Sequence, residues 1–378
     1  MRYSKNLMVQ KSFFYFLTLF LITIFYLFFD LILSNTVLAK KDFCYKYISN
    51  EKGYFYFLKK NCQTSERFKR GFPSTNLFTD EFGLRTGKNT KKNSSYENIF
   101  IFGDSMTFGV GLEYENTYAG LIDKAMKNYN IYNFGVGSYA PSVHLYKLKE
   151  AIRNNINPNK ILLFLDLSDV TDEARRWVDD EDGIPKRPEE KPHWAQKKIK
   201  EKNNSFLVKN FKLSQEIAAL VNYNLRNFRS KVKNKIAQDE NNLKIKFSVQ
   251  GQFTYTKFEN LDKSYWNKSD FAKGLKKVNE KISKISKIAK ENNSEFYLII
   301  YPWGETLYKG EEEFSWSNFG KQLCDKNDCI LINAIPEFNK YKNANKNWVN
   351  ELYFINDEHL NNGGAKLLAD IVIKKLNK

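Results

Sequence analysis

Residues 98–112 read NIFIFGDSMTFGVGL, a stretch whose apolar run ends on a glycine, an acid and a hydroxyl. It opens with a short apolar run, which is typical of a strand buried within a parallel sheet. The run breaks off at Gly103, Asp104 and Ser105, and small residues follow. In open parallel sheets, ligands bind outside the carboxyl ends of the strands. An acid and a hydroxyl at the end of a buried strand therefore predict a site at that edge of the sheet.

Short apolar runs alternate with helical segments along most of the chain. Helices are predicted at residues 117–127, 142–154 and 269–292, where apolar side chains recur at helical spacing. Further strands are predicted at residues 130–134, 157–169, 295–302 and 329–335. Strands and helices that alternate in this way predict an α/β fold with a largely parallel sheet.

The chain divides into three predicted parts. Residues 1–39 form a membrane anchor, residues 40–96 a charged and aromatic lead-in, and residues 97–378 the α/β domain. Within that domain the alternation breaks at a charged, proline-containing stretch. We treat residues 178–268 as a helical insertion that forms a cap or side lobe.

The N-terminus carries the longest apolar run. Residues 12–29 read SFFYFLTLFLITIFYLFF without a charge, and about twenty apolar residues can span a bilayer as a helix. A cleavable signal has a shorter apolar centre, so an uncleaved anchor is favoured over a cleaved one. Basic residues flank both ends of the run, and the positive-inside rule does not fix the orientation. We predict a single span in the cytoplasmic (inner) membrane, with the soluble domain on the periplasmic or extracellular side.

The four cysteines support that location. Cys44, Cys62, Cys324 and Cys329 all lie outside the apolar run, and an even number in an exported domain predicts two disulfides. Local pairing, Cys44 with Cys62 and Cys324 with Cys329, is the simplest of three arrangements. Four free thiols in a reduced compartment are the alternative. Zinc is disfavoured because neither pair has Cys-x2-Cys spacing.

The net charge is strongly positive. Lys and Arg number 60 against 43 Asp and Glu, a formal +17. Such an excess would suit a nucleic acid or an anionic surface. The basic residues are spread along the whole chain, however, and no nucleic-acid recognition motif is present. We therefore predict no nucleic-acid partner.

Polar loops that follow the predicted strands hold the residue types needed for acyl chemistry. Such chemistry requires a nucleophile, a base that takes its proton, a group that orients the base, and donors for the oxyanion. Ser105 lies on a sharp strand-to-helix turn that would expose its hydroxyl and its backbone N–H. His359 is one of only three histidines, and Asp357 precedes it by two residues. We predict that Ser105 is the nucleophile, His359 the base and Asp357 its partner.

Three sequence blocks resemble the SGNH/GDSL hydrolase family. They are FGDSMTFG at residues 102–109, YNFGVGSY at residues 132–139 and NDEHLNNGG at residues 356–364, in the family's order. The resemblance spans residues 97–376 and implies a three-layer α/β/α, flavodoxin-like fold with a Ser-His-Asp site. The apolar N-terminus and FGLR at residues 82–85 are similar to membrane-anchored members near cell-surface polysaccharide pathways, such as the alginate O-acetyltransferases.

The last block resembles the family in one of two registers. Ser105 matches the family's nucleophile and His359 its base. Asp357 matches the acid in the Asp-x-His form, whereas Asn356 stands where the Asp-x-x-His form would have its acid.

The resemblance also implies donors for the oxyanion. Ser105 matches one backbone donor, and Gly137 matches the family's oxyanion glycine, with Gly135 as an offset alternative. The family usually has Gly-x-Asn-Asp in a third block, where residues 165–173 read LDLSDVTDE. Ser168 stands in the place of Asn, and its hydroxyl would be a shorter donor. Because loss of one oxyanion donor costs roughly 3 kcal/mol of barrier, slow turnover of simple esters is expected.

Other catalytic motifs fit the sequence less well. Residues 135–140 read GVGSYA and match a dinucleotide fingerprint, but no convincing acid ends a strand about twenty residues later. Walker A, His-Glu-x-x-His and Gly-x-Ser-x-Gly motifs are absent from the sequence. We predict no cofactor and no metal.

The sequence therefore predicts a membrane-anchored SGNH-type serine esterase or O-acyltransferase that acts on a small acyl ester. That the substrate is a cell-surface glycan is implied by the resemblance alone. The alternative is a catalytically weak, SGNH-like glycan-binding component of a polysaccharide-modification assembly. A membrane acyltransferase would then be the partner.

Overall fold

The computed structural model describes residues 2–38, 44–50, 53–68, 72, 74–88, 90–179, 183–187, 206, 210–236, 268–311, 314–354 and 357–377. The strands are β1 (Tyr45–Asn50), β2 (Gly53–Leu58), β3 (Gln63–Arg67), β4 (Ser74–Thr79), β5 (Arg85–Thr86), β6 (Glu97–Phe102), β7 (Tyr129–Asn133), β8 (Lys160–Leu165), β9 (Val178–Asp179), β10 (Pro185–Lys186), β11 (Glu295–Ile300) and β12 (Ile330–Asn333). The α-helices are α1 (Arg2–Asn35), α2 (Ser105–Phe108), α3 (Tyr118–Ala125), α4 (Pro141–Arg153), α5 (Leu167–Arg175), α6 (Lys212–Ile236), α7 (Lys268–Glu291), α8 (Gly304–Lys309), α9 (Trp316–Asn327), α10 (Ile335–Ala344), α11 (Trp348–Leu352) and α12 (Asn362–Leu376).

A parallel sheet of five strands forms the centre, in the order β12-β11-β8-β6-β7. From β6 the chain crosses to β7 on one side and then to β8 on the other. The point between β6 and β8 is therefore the topological switch point of a flavodoxin-like sheet.

Helices cover both faces of this sheet. The crossovers from β6 to β7 and from β7 to β8 run in opposite directions, so right-handed connections place α3 and α4 on opposite faces. Helix α12 packs against α3, and α7 packs against α4 and α5. The three inner strands read ENIFIF, KILLFL and EFYLII, nearly continuous apolar runs, because both of their faces are buried. The predicted three-layer α/β/α fold is confirmed.

One predicted strand is shorter than expected. Residues 157–169 were predicted as a turn and a strand, but β8 ends at Leu165 and α5 begins at Leu167. The Asp166 carboxylate accepts from the Ser168 N–H, and the Asp169 carboxylate accepts from the Asp166 N–H. This capping box starts a helix at once. Ser168 consequently lies in the first turn of α5.

The lead-in folds against the α/β domain. Strands β1 and β2 form one antiparallel hairpin, and β3, β4 and β5 form a second antiparallel sheet. Tyr54, Phe55 and Tyr56 of β2 are buried with Tyr139 and Trp177 in a cluster separate from the main core. Both predicted disulfides are confirmed, Cys44 with Cys62 and Cys324 with Cys329.

Helix α1 contains the predicted membrane span. Its segment Lys11–Asn35 is long and apolar enough to cross a bilayer, and its large apolar side chains are exposed. A signal sequence near an N-terminus would have the same features. Of the predicted helical insertion at residues 178–268, the structure describes β9, β10 and α6, and α6 agrees with its predicted helical character. Apart from residues that adjoin these elements or α7, and Phe206, the rest of the insertion falls outside the described residues.

Candidate active site

Ser105 stands at the carboxyl edge of β6, beside the switch point of the sheet. Gly103 allows the Thr107 side chain to approach the end of β6, because a Cβ on Gly103 would lie 1.9 Å from the hydroxyl oxygen of Thr107. The Asp104 carboxylate then caps α2 by accepting the Met106 N–H at 2.8 Å. Ser105 is held on the sharp turn that the sequence predicts by the end of β6, by Gly103 and by the Asp104 cap.

The three residues predicted to be catalytic are brought together in the structure. The Ser105 Oγ lies 2.8 Å from the His359 Nε2, although 254 positions separate the two residues. The His359 Nδ1 lies 2.5 Å from the Asp357 Oδ1, and the His359 backbone N–H donates to the same oxygen at 2.9 Å. The Asp-x-His register thus joins Asp357 to the imidazole, and Asn356 lies outside the described residues. This geometry can move a proton from Ser105 to His359.

The pKa and the tautomer of the His359 imidazole suit it to accept that proton. Burial by itself lowers the pKa of the imidazole, but the hydrogen bond and charge of Asp357 raise the pKa above its ordinary value. The edge of Phe68 meets the ring of His359, with 5.0 Å between ring centroids and 74° between planes. The carboxylate therefore fixes the tautomer that leaves Nε2 free to accept, and Phe68 limits the rotation of the ring.

Gly137 is better placed than Gly135 to serve the predicted oxyanion site. A Cβ on Gly137 would lie 3.8 Å from the Ser105 Cβ, and the Tyr56 hydroxyl donates to the Gly137 carbonyl at 2.5 Å. The N–H groups of Ser105 and Gly137 donate to no described residue. By contrast, the Gly135 N–H donates to Asn133, and Gly135 packs tightly against α2.

The Ser168 hydroxyl faces carboxylates. Its Oγ lies 2.6 Å from the Asp166 Oδ1 and 3.2 Å from the Asp104 Oδ2. A hydroxyl has one proton to donate, and here two carboxylates compete for it. Ser168 would have to rotate before it donated to an oxyanion. Its predicted oxyanion role therefore stays a prediction.

Asp104 also touches the nucleophile. Its Oδ2 lies 3.1 Å from the Ser105 Oγ. Burial, and then the nearby Asp166 carboxylate, raise the pKa of Asp104 to about 7. The charge of Asp104 consequently changes near neutral pH, one hydrogen bond away from Ser105.

Two cavities adjoin Ser105 and His359. The larger cavity has a volume of about 210 Å³, and Trp303 forms part of its wall. The rest of its lining is mainly polar and charged side chains: Asp104, Ser138, Asp166, Ser168, Asp172, Arg176 and Glu358. The smaller, about 10 Å³, is lined mainly by apolar side chains: Met106, Val110, Leu112, Tyr118, Leu360 and Ala365. A space of this second size holds about one water molecule or a methyl group.

Three residues of the lead-in support the site, and none of them belongs to the three sequence blocks that hold the predicted site residues. Tyr56 holds the Gly137 carbonyl, and Phe68 packs on His359. The buried Arg85 donates to the backbone carbonyls of Phe108, Gly109 and Leu112, all in the loop that follows Ser105. Arg85 belongs to the FGLR stretch, which is the one signal in the sequence that points to any of them.

Among the described residues, one group of side chains could hold a metal ion. Ligand atoms of Asp357, Glu358 and His359 lie within 4.8 Å of one another. The Asp357 oxygen is already bonded to the His359 Nδ1, and His359 bonds Ser105 through its other nitrogen. The chemistry of these residues fits a proton relay without a metal.

No protein-family model matches the chain, and no curated protein matches it. Solved structures do match. A lipolytic G-D-S-L family member from Veillonella parvula DSM 2008 is 10% identical, with 75% of this chain and 99% of that chain covered and a TM-score of 0.40. The acetyl xylan esterase AlAXEase is 16% identical, with 74% and 99% covered and a TM-score of 0.40. A catalytic mutant of Axe2, an acetylxylan esterase from Geobacillus stearothermophilus, is 11% identical, with 76% and 96% covered and a TM-score of 0.38.

The solved structures to which this chain is similar thus include lipolytic G-D-S-L proteins, the class that the three sequence blocks resemble. Identities of 10–16% across these structures show the fold alone. The narrower likeness to alginate O-acetyltransferases stays a prediction.

Proposed function

We propose that the chain is an SGNH/GDSL-type serine esterase or O-acyltransferase. In the proposal, α1 anchors it in the cytoplasmic (inner) membrane and the α/β domain lies on the periplasmic or extracellular side. The observation that carries the proposal is the relay in which the Ser105 Oγ, the His359 imidazole and the Asp357 carboxylate are joined by hydrogen bonds of 2.8 Å and 2.5 Å.

The relay supports a two-step acyl transfer. The Ser105 Oγ attacks the ester carbonyl carbon while the His359 Nε2 takes the hydroxyl proton. The N–H groups of Ser105 and Gly137 stabilise the oxyanion. The tetrahedral intermediate collapses, the leaving alkoxide takes the proton from His359, and the acyl group stays on Ser105. Water or a sugar hydroxyl then attacks the acyl-enzyme, again with His359 as base, and Ser105 is released.

The cavities support a small acyl group and a polar remainder of the substrate. The 10 Å³ crevice beside Ser105 has room for a methyl group, which favours an acetyl ester. The 210 Å³ cavity offers Ser138, Asp172, Arg176 and Glu358 as hydrogen-bonding groups, with Trp303 as an aromatic surface. Such a lining suits sugar hydroxyls. The surface-glycan substrate also rests on the family resemblance of the sequence.

A glycan-binding role is the second candidate. It is favoured by the Ser168 hydroxyl, whose proton is shared between Asp104 and Asp166. A site with only two oxyanion donors would lose roughly 3 kcal/mol of transition-state stabilisation relative to one with three. A weak catalyst that retains its cavity could serve as the binding component of an assembly with a membrane acyltransferase.

The test is covalent labelling of the detergent-solubilised full chain with a fluorophosphonate, read by intact mass. We expect one adduct, which Ser105→Ala abolishes and His359→Ala slows strongly, because the Ser105 hydroxyl then has no base to take its proton. Ser142→Ala is the matched control, since Ser142 is a buried serine bonded to Glu173 away from the relay. A folded protein that forms no adduct would contradict the enzyme and favour the binding component.

A further inference from the structure

Helix α6 exposes an apolar stripe. Ile217, Val221, Leu225 and Phe228 recur at spacings of three or four residues and lie on one helical face. Their side chains are 45%, 51%, 45% and 66% exposed. An exposed apolar stripe of this length is unfavourable in water and marks an interaction surface.

The opposite side of α6 is already occupied. Ala219 is buried, and the ring of Tyr223 packs on Phe72 at 5.3 Å between centroids. Glu216 accepts from the Ser74 hydroxyl and pairs with Arg67 at 2.8 Å, both in the lead-in sheet. The lead-in therefore covers one face of α6 and leaves the stripe pointing away.

The stripe begins where α6 meets the end of α1. The Asp30 carboxylate accepts from the N–H groups of Leu213 and Ser214 at 3.0 Å and 2.8 Å and also from the Ser214 hydroxyl. The Ser34 hydroxyl accepts the N–H of Lys212 at 2.7 Å. Asp30 and Ser34, both in the last turns of the candidate span, are fully buried by this contact.

The contact with α1 and the stripe share one side of α6. Ser214 precedes Ile217 by three residues and Val221 by seven, so all three lie on the same helical face. The surface that meets the end of the candidate span therefore continues along α6 as exposed apolar side chains.

The charges of α6 suit an anionic bilayer. Apart from Glu216, every charged residue of the helix is basic, and these residues are Lys212, Arg226, Arg229, Lys231, Lys233 and Lys235. Helices that lie in a membrane interface combine an apolar face with a basic polar face, and anionic lipids attract the basic residues.

We propose that α6 lies on the anionic lipid surface beside the α1 span, with the stripe of Ile217, Val221, Leu225 and Phe228 inserted at the boundary between headgroups and acyl chains. The proposal rests on the membrane anchor proposed above. In this arrangement, α6 lies between the bilayer and the α/β domain.

A path of ring contacts leads from α6 to the site. Tyr223 packs on Phe72, Phe72 on Phe68 at 5.6 Å, and Phe68 on His359 at 5.0 Å. For the esterase or acyltransferase proposed above, the relay would then lie a few side chains from the bilayer. Acyl donors or acceptors presented at the membrane surface are therefore the substrates that this arrangement favours.

The test measures the depth of α6 in vesicles. The full chain with Leu225→Cys carries a spin label and is reconstituted in phosphatidylcholine vesicles containing phosphatidylglycerol. The native cysteines are all disulfide-bonded, so one site is labelled. Asn222→Cys is the matched control, because Asn222 is exposed on the same helix but off the stripe. Collision of the label with oxygen is compared with collision with a water-soluble nickel complex.

We expect the ratio of oxygen to nickel collisions to be several-fold higher at position 225 than at 222, and the contrast to fall in vesicles of phosphatidylcholine alone. Equal access of nickel to both labels would overturn the proposal. A label at 225 shielded from both reagents would overturn it too, because protein and not lipid would then cover the stripe. Fluorophosphonate labelling of Ser105 in the same vesicles reports on the proposed chemistry separately, so either proposal can fail alone.

Discussion

At the scale of single residues, the proposed chemistry depends on the pairing of His359 with Asp357. An imidazole accepts the Ser105 proton only when it is neutral, so activity should rise with pH as His359 loses its proton. Burial lowers the pKa of His359, but the hydrogen bond and charge of Asp357 outweigh burial and raise the pKa above its ordinary value. The acid limb of the pH–rate profile is therefore displaced upward in pH.

Asp357→Asn tests that pairing. Without the carboxylate charge, the pKa of His359 falls, and the acid limb should move to lower pH. The rate of fluorophosphonate labelling should also fall by roughly 10³ to 10⁴-fold, because Asn stabilises the wrong tautomer. Labelling rates from acid to neutral pH measure both effects.

Asp370→Asn is the control for that change, since it makes the same substitution at an exposed carboxylate of α12 that pairs with Lys366. It should leave the labelling rate nearly unchanged. An acid limb that stays in place in Asp357→Asn would argue against Asp357 as the orienting group.

At the scale of elements, the loop after the nucleophile depends on a strand of the lead-in. Arg85 of β5 donates through both terminal nitrogens to three backbone carbonyls between Phe108 and Leu112. The guanidinium is buried and sits 4.6 Å from the Phe108 ring centroid. Lead-in and α/β domain thus form one structural unit around the site.

Arg85→Ala should be strongly destabilising. It leaves several buried carbonyls without donors, and each unsatisfied group costs about 1 to 3 kcal/mol. We expect the free energy of unfolding, measured with urea on the solubilised chain, to fall by about 3 kcal/mol or more. Arg85→Lys should recover only part of the loss, because a lysine has no planar fork of donors.

Arg67→Ala is the comparison for Arg85→Ala. Arg67 pairs with Glu216 at 2.8 Å, but both side chains are partly exposed. Pairs of this kind contribute at most about 1 kcal/mol. Equal losses in the two variants would contradict the supporting role assigned to Arg85.

At the scale of the whole molecule, the two disulfides tie loops of different length. Cys44 and Cys62 are 18 residues apart, and Cys324 and Cys329 are 5 apart. In the chain-entropy model, removal of the first should cost about 3 kcal/mol and removal of the second about 2 kcal/mol. Thermal melts of the two double Cys→Ser variants measure the difference.

Loss of the Cys44–Cys62 bond should also slow the labelling of Ser105. That bond joins the residue before β1 to the residue before β3, and β2, which pairs with β1, carries Tyr56, which holds the Gly137 carbonyl. The Cys324–Cys329 bond is remote from the relay and serves as the control. Unchanged labelling in both variants would show that the lead-in does not hold the oxyanion donor.

The sequence alone was enough to predict features that depend on short stretches of chain. Apolar runs and helical spacing predict the five sheet strands, because burial on both faces requires apolar side chains along the whole strand. The turn at Gly103 and the Asp-x-His register are local, so Ser105, His359 and Asp357 could be named in advance. The two disulfides were predictable for the same reason, since each closes a short loop.

The tertiary structure was needed for features that depend on residues far apart in the chain. It distinguished Gly137 from Gly135, because the choice rests on the distance to Ser105 and on the Tyr56 hydroxyl. It turned the Ser168 hydroxyl toward Asp104 and Asp166, and it brought α6 to the end of α1. Local sequence patterns predict local geometry, whereas contacts between distant parts of the chain exist only when the core has packed.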